Sequence, residues 1–187
     1  MKINVIIPTY KPDDKFERNL RMLRRQTLQP DRILIINTEE SLFHSKEFGK
    51  LPQGEIIHIK KSEFDHGGTR NRAAAMCDGD IIVLLTQDAI PADEYLLENL
   101  TKPFEDPEVC AAYGRQMADW KDNPVEAYTR TFNYPKESRI KSKEDLPVLG
   151  IKTFFCSNVC AAYRKSVYDA MGGFPLHTIF NEDMIFA

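Results

Sequence analysis

A chain of 187 residues, 42% hydrophobic and 28% charged, is long enough for one soluble domain of ordinary size and short for two. Its formal charge of -3 argues against a nucleic-acid partner, which would need clustered cations to neutralise phosphates. No apolar run approaches the roughly 20 residues that span a bilayer, and Met1-Lys2-Ile3 leads into a strand without a signal-peptide pattern, so the protein is expected on the cytoplasmic side.

Asn4-Val5-Ile6-Ile7 reads as a first strand ending in Pro8-Thr9-Tyr10. Lys11-Pro12-Asp13-Asp14 then supplies a turn and an N-cap for a helix carrying Phe16, Leu20, Met22 and Leu23, stopped by Pro30. Arg32 to Ile36 is a second strand, ending in Asn37-Thr38-Glu39, and Glu55 to Ile59 a third. Phe64-Asp65-His66-Gly67-Gly68-Thr69-Arg70-Asn71-Arg72 follows as a glycine-rich loop into a helix through Ala73 to Met76, with Thr69 as its expected cap. A fourth strand, Asp80 to Leu85, empties into Thr86-Gln87-Asp88-Ala89, and Pro91-Ala92-Asp93 should start the next helix. This rhythm implies an α/β fold with a mostly parallel central sheet flanked by helices.

Beyond Pro107 the rhythm changes. Val109 to Gly114 reads as a strand, Pro124 to Phe132 as a helix, and Asn133 to Asp145 as a charged loop. Phe154 to Cys156 and Val159 to Tyr163 are apolar enough to return to the sheet, and a helix from Lys165 to Met171 should end at Gly172-Gly173. Asn181 to Ala187 has the pattern of a helix start with nothing after it, so the chain is expected to be the front part of a longer protein. Cys77, Cys110, Cys156 and Cys160 form no CxxC pair and read as reduced core residues.

In an open α/β sheet, ligands gather beyond the carboxyl ends of the strands, and three ends here carry polar groups. GxGxxG and GxxxxGK[ST] are both absent, which weakens dehydrogenase and P-loop readings. The strand-end residues, the Gly67-Gly68 loop leading to Arg70, and the acids Glu182 and Asp183 together outline a site for a nucleoside diphosphate compound with a metal counter-charge and a carboxylate base.

Val5-Ile6-Ile7-Pro8-Thr9-Tyr10, Gly68-Thr69-Arg70-Asn71, Leu85-Thr86-Gln87-Asp88-Ala89, Gly172-Gly173-Phe174-Pro175 and Glu182-Asp183, in this order and spacing, resemble the catalytic domain of family 2 glycosyltransferases, inverting enzymes of the GT-A fold. The stretches from Phe64 to Arg70, Thr86 to Ala89, Arg115-Gln116, Phe132 to Pro135 and Ser157-Asn158 look most like the bacterial rhamnosyltransferase group. The resemblance implies a single domain over 1–187, with a nucleotide-sugar-binding half (1–107) and the start of an acceptor-binding half (108–187). It implies transfer of a sugar, such as rhamnose from a dTDP donor, to a saccharide or lipid-linked saccharide acceptor in surface-polysaccharide synthesis. It is compatible with peripheral association at the inner membrane face.

By the same resemblance, Pro8, Thr9, Tyr10, Asn37, Thr38, Gly68, Arg70, Gln87, Ser157 and Asn158 would bind the nucleotide sugar. Asp88 would hold Mg2+ or Mn2+, Asp183 would be the general base, and Glu182 would stand beside it as a supporting neighbour. Two departures stand out. Thr86-Gln87-Asp88 offers one acid where the family commonly has Asp-x-Asp, and Asn37 with Thr38 occupies the place of an acid that reads the base.

Other readings of the same residues remain open. Asp88 could cap a turn, Glu182 and Asp183 could be ordinary first-turn acids, and Arg70 could pair with an acid instead of a phosphate. His66 could touch phosphate or simply bond to backbone, and Trp120 could stack on a sugar or cover the core. Tyr113, Phe154 and Phe155 are read as packing. At the level of the whole chain, the alternatives are a non-catalytic nucleotide-sugar-binding module and a sugar nucleotidyltransferase.

Overall fold

The structure, a computed structural model, describes residues 1–117, 123–178 and 181–187. Trp120 lies outside the described residues. Six strands, β1 (Ile3–Tyr10), β2 (Arg32–Thr38), β3 (Gly54–Ile59), β4 (Ile81–Leu85), β5 (Ala111–Tyr113) and β6 (Cys160–Arg164), form one sheet among them, in the order β3-β2-β1-β4-β6-β5. The first four run parallel, while β6 is antiparallel to both β4 and β5. The helices are α1 (Asp14–Arg24), α2 (His66–Ala75), α3 (Leu96–Thr101), α4 (Pro124–Asn133), α5 (Leu146–Leu149), α6 (Lys165–Ala170) and α7 (Glu182–Phe186).

Strand residues alternate between two cores, which explains why β1, β2 and β4 read as unbroken apolar runs. Val5, Ile7, Ile33, Ile35, Val83 and Leu85 face one layer, into which α1 sinks Phe16, Leu20 and Leu23. Ile6, Leu34, Ile36, Ile82 and Leu84 face the other, closed by Ala73 and Ala74 of α2, Tyr168 of α6, and Phe174. Each fully buried Val, Leu, Ile or Phe side chain among these contributes roughly 1.5–3 kcal/mol of gross transfer free energy. Asp13 caps α1 as expected, accepting from Lys15 N at 3.0 Å and Phe16 N at 3.2 Å.

Other local expectations are corrected. Asp65, not Thr69, caps α2: its Oδ1 accepts from Gly68 N at 2.6 Å, while Thr69 Oγ1 accepts from Asp65 N at 3.1 Å. Gly67 and Gly68 therefore lie in the first helical turn instead of a loop before it. The helix after Pro91 is delayed to Leu96, because the carbonyls of Asp93 and Glu94 turn to Gln26 Nε2 (2.9 Å) and Thr27 N (2.8 Å) beyond the end of α1. Phe154 to Cys156 does not join the sheet. The Lys152 and Phe155 carbonyls accept from the Lys141 ammonium at 3.1 and 2.6 Å, which satisfies this backbone without a strand partner. Burial lowers the pKa of that ammonium. Phe154 is exposed rather than packed, and Cys110 is exposed rather than core; the other three cysteines are buried and all four are free thiols.

One joint ties α2 to the C-terminal part of the chain. Asn71 of α2 donates to Phe174 O at 2.9 Å and accepts from Phe174 N at 2.8 Å, with Tyr168 OH as a further donor to the same oxygen. Gly173 sits at φ 75°, and a Cβ there would stand 2.6 Å from Asn71 Oδ1. At Gly67 a Cβ would overlap the Pro175 carbonyl oxygen. His177 N donates to Asp65 Oδ2 at 3.0 Å, continuing the same seam.

Gly67→Ala should destabilise the protein by about 1–3 kcal/mol through overpacking, read as a lower urea midpoint; an unchanged midpoint would disprove the close approach. The Gly68 N–H, aided by that of His177, holds the Asp65 carboxyl below its usual pKa. A depressed folded-state pKa stabilises above the unfolded value, about 3.9, and that contribution fades as pH falls through the folded value. Asp65→Ala should therefore cost about 1 kcal/mol at neutral pH, and the gap from wild type should narrow below about pH 4.

Candidate active site

The parallel register brings the polar strand ends together. Thr9 lies opposite Asn37, and Tyr10 opposite Thr38. Gln87, just past β4, accepts from Tyr10 N through Oε1 at 2.9 Å, which joins the ends of β1 and β4. Pro8 is half-buried, Thr9, Asn37 and Thr38 are buried, and Tyr10 is exposed. Asn37 gives its amide N–H groups to Glu39 O (3.1 Å) and His58 Nδ1 (3.0 Å), whereas its buried Oδ1 has no partner among the described residues. An amide so engaged differs from the ionised acid that the resemblance would lead one to expect here.

Asp88 is exposed at the turn after β4, and among the described residues its carboxylate pairs with no donor or cation. It is therefore not a helix cap; only its backbone carbonyl joins the turn, accepting from Ile90 N at 3.0 Å. The turn is held from beneath by Asn19, a buried residue of α1 whose Nδ2 donates to Thr86 O (3.1 Å) and Gln87 O (3.3 Å). Sequence reading passed over Asn19. The available signal was its place on the same helical face as Phe16, Leu20 and Leu23, where an amide must find partners.

Arg70 is not placed at an open phosphate site. Its side chain is 8% exposed, donates to His66 O at 2.8 Å, and lies 3.4 Å from Glu182 Oε1, itself 8% exposed. The acid that sequence reading left open as a partner for Arg70 is thus Glu182. Gly68 likewise spends its N–H on Asp65. His66 opens α2, its ring set edgewise 5.1 Å from Phe64.

Asn158, expected among ligand-binding residues, is buried and internally engaged. It donates from its backbone N to Asp183 Oδ2 at 2.9 Å and from Nδ2 to Glu182 Oε1 at 3.3 Å, and it accepts from Tyr163 OH at 2.9 Å. Asp183 Oδ1 accepts from Met184 N at 2.9 Å, so both carboxylate oxygens are oriented by main-chain donors. Thr86 N donates to Val159 O at 3.1 Å. This backbone bond, continuing the β4–β6 pairing at Leu85 and Cys160, links the turn bearing Asp88 to the segment that holds Asp183.

Asp183 and Ser157 face a pocket of about 420 Å³ that also involves Arg130, Asn133, Tyr134 and Phe155. Ser157 Oγ accepts from Gln116 Nε2 at 3.0 Å. Burial raises the Tyr134 phenol and pushes the Cys156 thiol up to about 11, so this cysteine stays a protonated wall residue. Among the described residues no group of three His, Cys, Asp or Glu side chains is arranged to hold a metal ion.

The open sheet, with an exposed lone acid beyond one parallel strand and a second acid held over a polar pocket, defines the nucleotide-diphospho-sugar transferase class of α/β folds. Solved structures share this fold. The mannosyltransferase PcManGT from Pyrobaculum calidifontis, in complex with GDP-Man and Mn2+, superposes with a TM-score of 0.63 at 20% identity, covering 93% of this chain and 47% of that one. S. aureus TarS 1-349 gives 0.67 at 16% identity, covering 100% and 54%. The profile of Glycosyl transferase family 2 matches residues 4–172, and the chain belongs to that family. It is 43% identical to the O-antigen chain rhamnosyltransferase RfbN of Salmonella typhimurium over 188 residues, covering 100% of this chain and 60% of that protein. It is also 43% identical to WbaN of Salmonella anatum, covering 98% and 58%. The chain thus spans about three fifths of the length of these relatives.

Because Arg70 and Glu182 are buried together, removing one partner leaves the other charge uncompensated. Glu182→Ala should cost about 3–5 kcal/mol, whereas Arg70→Leu with Glu182→Leu should cost clearly less. Denaturant unfolding of the three proteins checks this, and a double variant as unstable as the single one would contradict it.

Proposed function

We propose that this chain carries the donor site and general base of an inverting rhamnosyltransferase. It would move rhamnose from a dTDP donor to a saccharide or lipid-linked saccharide in the synthesis of a surface polysaccharide. The observation that carries the reading is the link from the Asp88 turn through Thr86, Val159 and Asn158 to Asp183: it sets an unpartnered carboxylate and an oriented one on adjoining segments. The 43% identity to two O-antigen rhamnosyltransferases across nearly the whole chain supports the sugar and the setting. The donor half spans 1–107 and the start of the acceptor half 108–187.

Asp88 fits a hard divalent cation, Mg2+ or Mn2+, that takes most of its ligands from a diphosphate and water, since this chain supplies one exposed acid and no closed cage among the described residues. Such an ion would neutralise charge on the departing nucleoside diphosphate. Thr9, Tyr10, Asn37 and Thr38 form the nucleoside wall, and Gln87 braces Tyr10. Asp183 accepts the proton of the acceptor hydroxyl as its oxygen bonds to the anomeric carbon. The bond from that carbon to the diphosphate oxygen breaks on the opposite face, the electron pair leaves with the diphosphate, and the configuration inverts. Arg70, Glu182 and Asn158 position Asp183 and take no proton.

Calorimetric titration with dTDP-, UDP- and GDP-sugars, with and without Mn2+, tests the donor site. Metal-dependent binding of the dTDP sugar is expected, and Asp88→Asn should weaken it at least about tenfold, or 1.4 kcal/mol. Asp183→Asn should leave donor binding intact and lower turnover by about 10²–10⁴-fold. Donor binding indifferent to both metal and Asp88 would overturn the assignment of Asp88.

A further inference from the structure

We propose that Asn19 is a positioning residue of the donor site. From the α1 side it turns the peptides of residues 86–88 so that the main-chain N–H groups of Gln87 and Asp88 stand free, beside the Asp88 carboxylate, to take an oxygen of the donor's diphosphate. This rests on the reading of Asp88 as the acid that holds the metal of that site.

Every main-chain polar group of the turn but two has a partner. Thr86 N donates to Val159 O at 3.1 Å, Thr86 O accepts from Ala89 N at 3.1 Å, and Asp88 O accepts from Ile90 N at 3.0 Å. Asn19 Nδ2 gives Thr86 O a second donor at 3.1 Å, and at 3.3 Å it is the one partner of Gln87 O among the described residues. What remains is the N–H of Gln87 and that of Asp88, which bond to nothing among the described residues.

Peptide geometry gives their direction. The peptides of this turn are trans, so the C=O of one residue and the N–H of the next point in opposite directions. The Thr86 and Gln87 carbonyls both reach one nitrogen on α1, so the N–H groups of Gln87 and Asp88 both point away from that helix. Asp88 is exposed and Gln87 half-buried, which leaves that side accessible. Tyr10 N donates to Gln87 Oε1 at 2.9 Å and sets the pair beside the nucleoside wall. Successive free N–H groups on one side of a turn suit the oxygen of an anion. The adjoining carboxylate repels an anion that arrives without a cation, so the arrangement favours a metal-bound diphosphate.

Packing does not account for the amide. Asn19 is fully buried on the helix face that carries Phe16, Leu20 and Leu23, and its Oδ1 has no partner among the described residues. A buried oxygen left unpaired costs free energy that an apolar side chain would avoid. The residue is explained by what its nitrogen holds, and only the NH2 end can face two carbonyls.

Amide NMR and calorimetry test this. In the wild type, dTDP with Mg2+ should move the Gln87 and Asp88 amide protons downfield, and thymidine with Mg2+ should not. Asn19→Leu and the equal-sized Asn19→Asp should each weaken dTDP–Mg2+ by about tenfold or more, as lost hydrogen bonds to a charged group would. Thymidine binding, read by saturation-transfer NMR, should stay unchanged in both. Leu23→Val, which trims packing on the same helix and removes no donor, should lower the urea midpoint and leave dTDP affinity as it is. Amide protons indifferent to dTDP, wild-type affinity in the Asn19 variants, or equal loss of dTDP and thymidine, the mark of a merely structural residue, would overturn the proposal. If Asp88→Asn weakens dTDP and the Asn19 variants do not, only the role of Asn19 falls; if the wild type does not bind dTDP, the donor-site reading falls and takes this one with it.

Discussion

β1 is hydrogen-bonded in parallel to β2 on one side and to β4 on the other, and this double pairing sets the positions of the polar strand ends. Side chains alternate along a strand, so a slip of one residue would exchange the two core layers and send Val5 and Ile7 to the face that α2 covers. With both faces buried, such a slip is strongly disfavoured. The register that keeps the cores apart also makes the strands finish at one edge, where Thr9 meets Asn37 and Gln87 reaches Tyr10. Core packing and site geometry are therefore consequences of one arrangement.

A second layer of order is polar and long-range. Arg70 on α2 and Glu182 on α7 share a buried ion pair, and Asn158 connects that pair to Tyr163 in the sheet and to Asp183. Buried ion pairs add little net stability, but they tolerate few alternative geometries. The value of this one lies in orientation: the short helix α7, only five residues long, carries Asp183 and is anchored through its neighbour Glu182.

The strands and α1 were legible because their signals are local: apolar runs of strand length, an Asp cap, and Pro30 as a stop. Family motifs marked out the candidate site residues as a set. Individual partners were not, because they depend on contacts between segments distant in sequence. Arg70 reads as a phosphate ligand until Glu182 is seen folded against it. Thr69 reads as a cap because the glycines before it suggest a loop, yet Asp65 reaches Gly68 and starts the helix one turn earlier. The helical pattern of α4 was visible, but the pattern cannot say that its apolar stripe would face outward. Asn19 and Asn71, single polar residues that brace other elements, carried almost no signal of their own.

The seam between α2 and residues 173–177 has an evolutionary consequence. Gly67 is required by the carbonyl of Pro175, and Gly173 by the amide of Asn71, so each constraint is written in one part of the gene and imposed by another. Recombination between relatives with a crossover anywhere between these stretches would separate matched residues unless both parents kept the same four. Exchange of gene segments between relatives is thus limited first by the fit of a glycine to a carbonyl, before any question of chemistry arises.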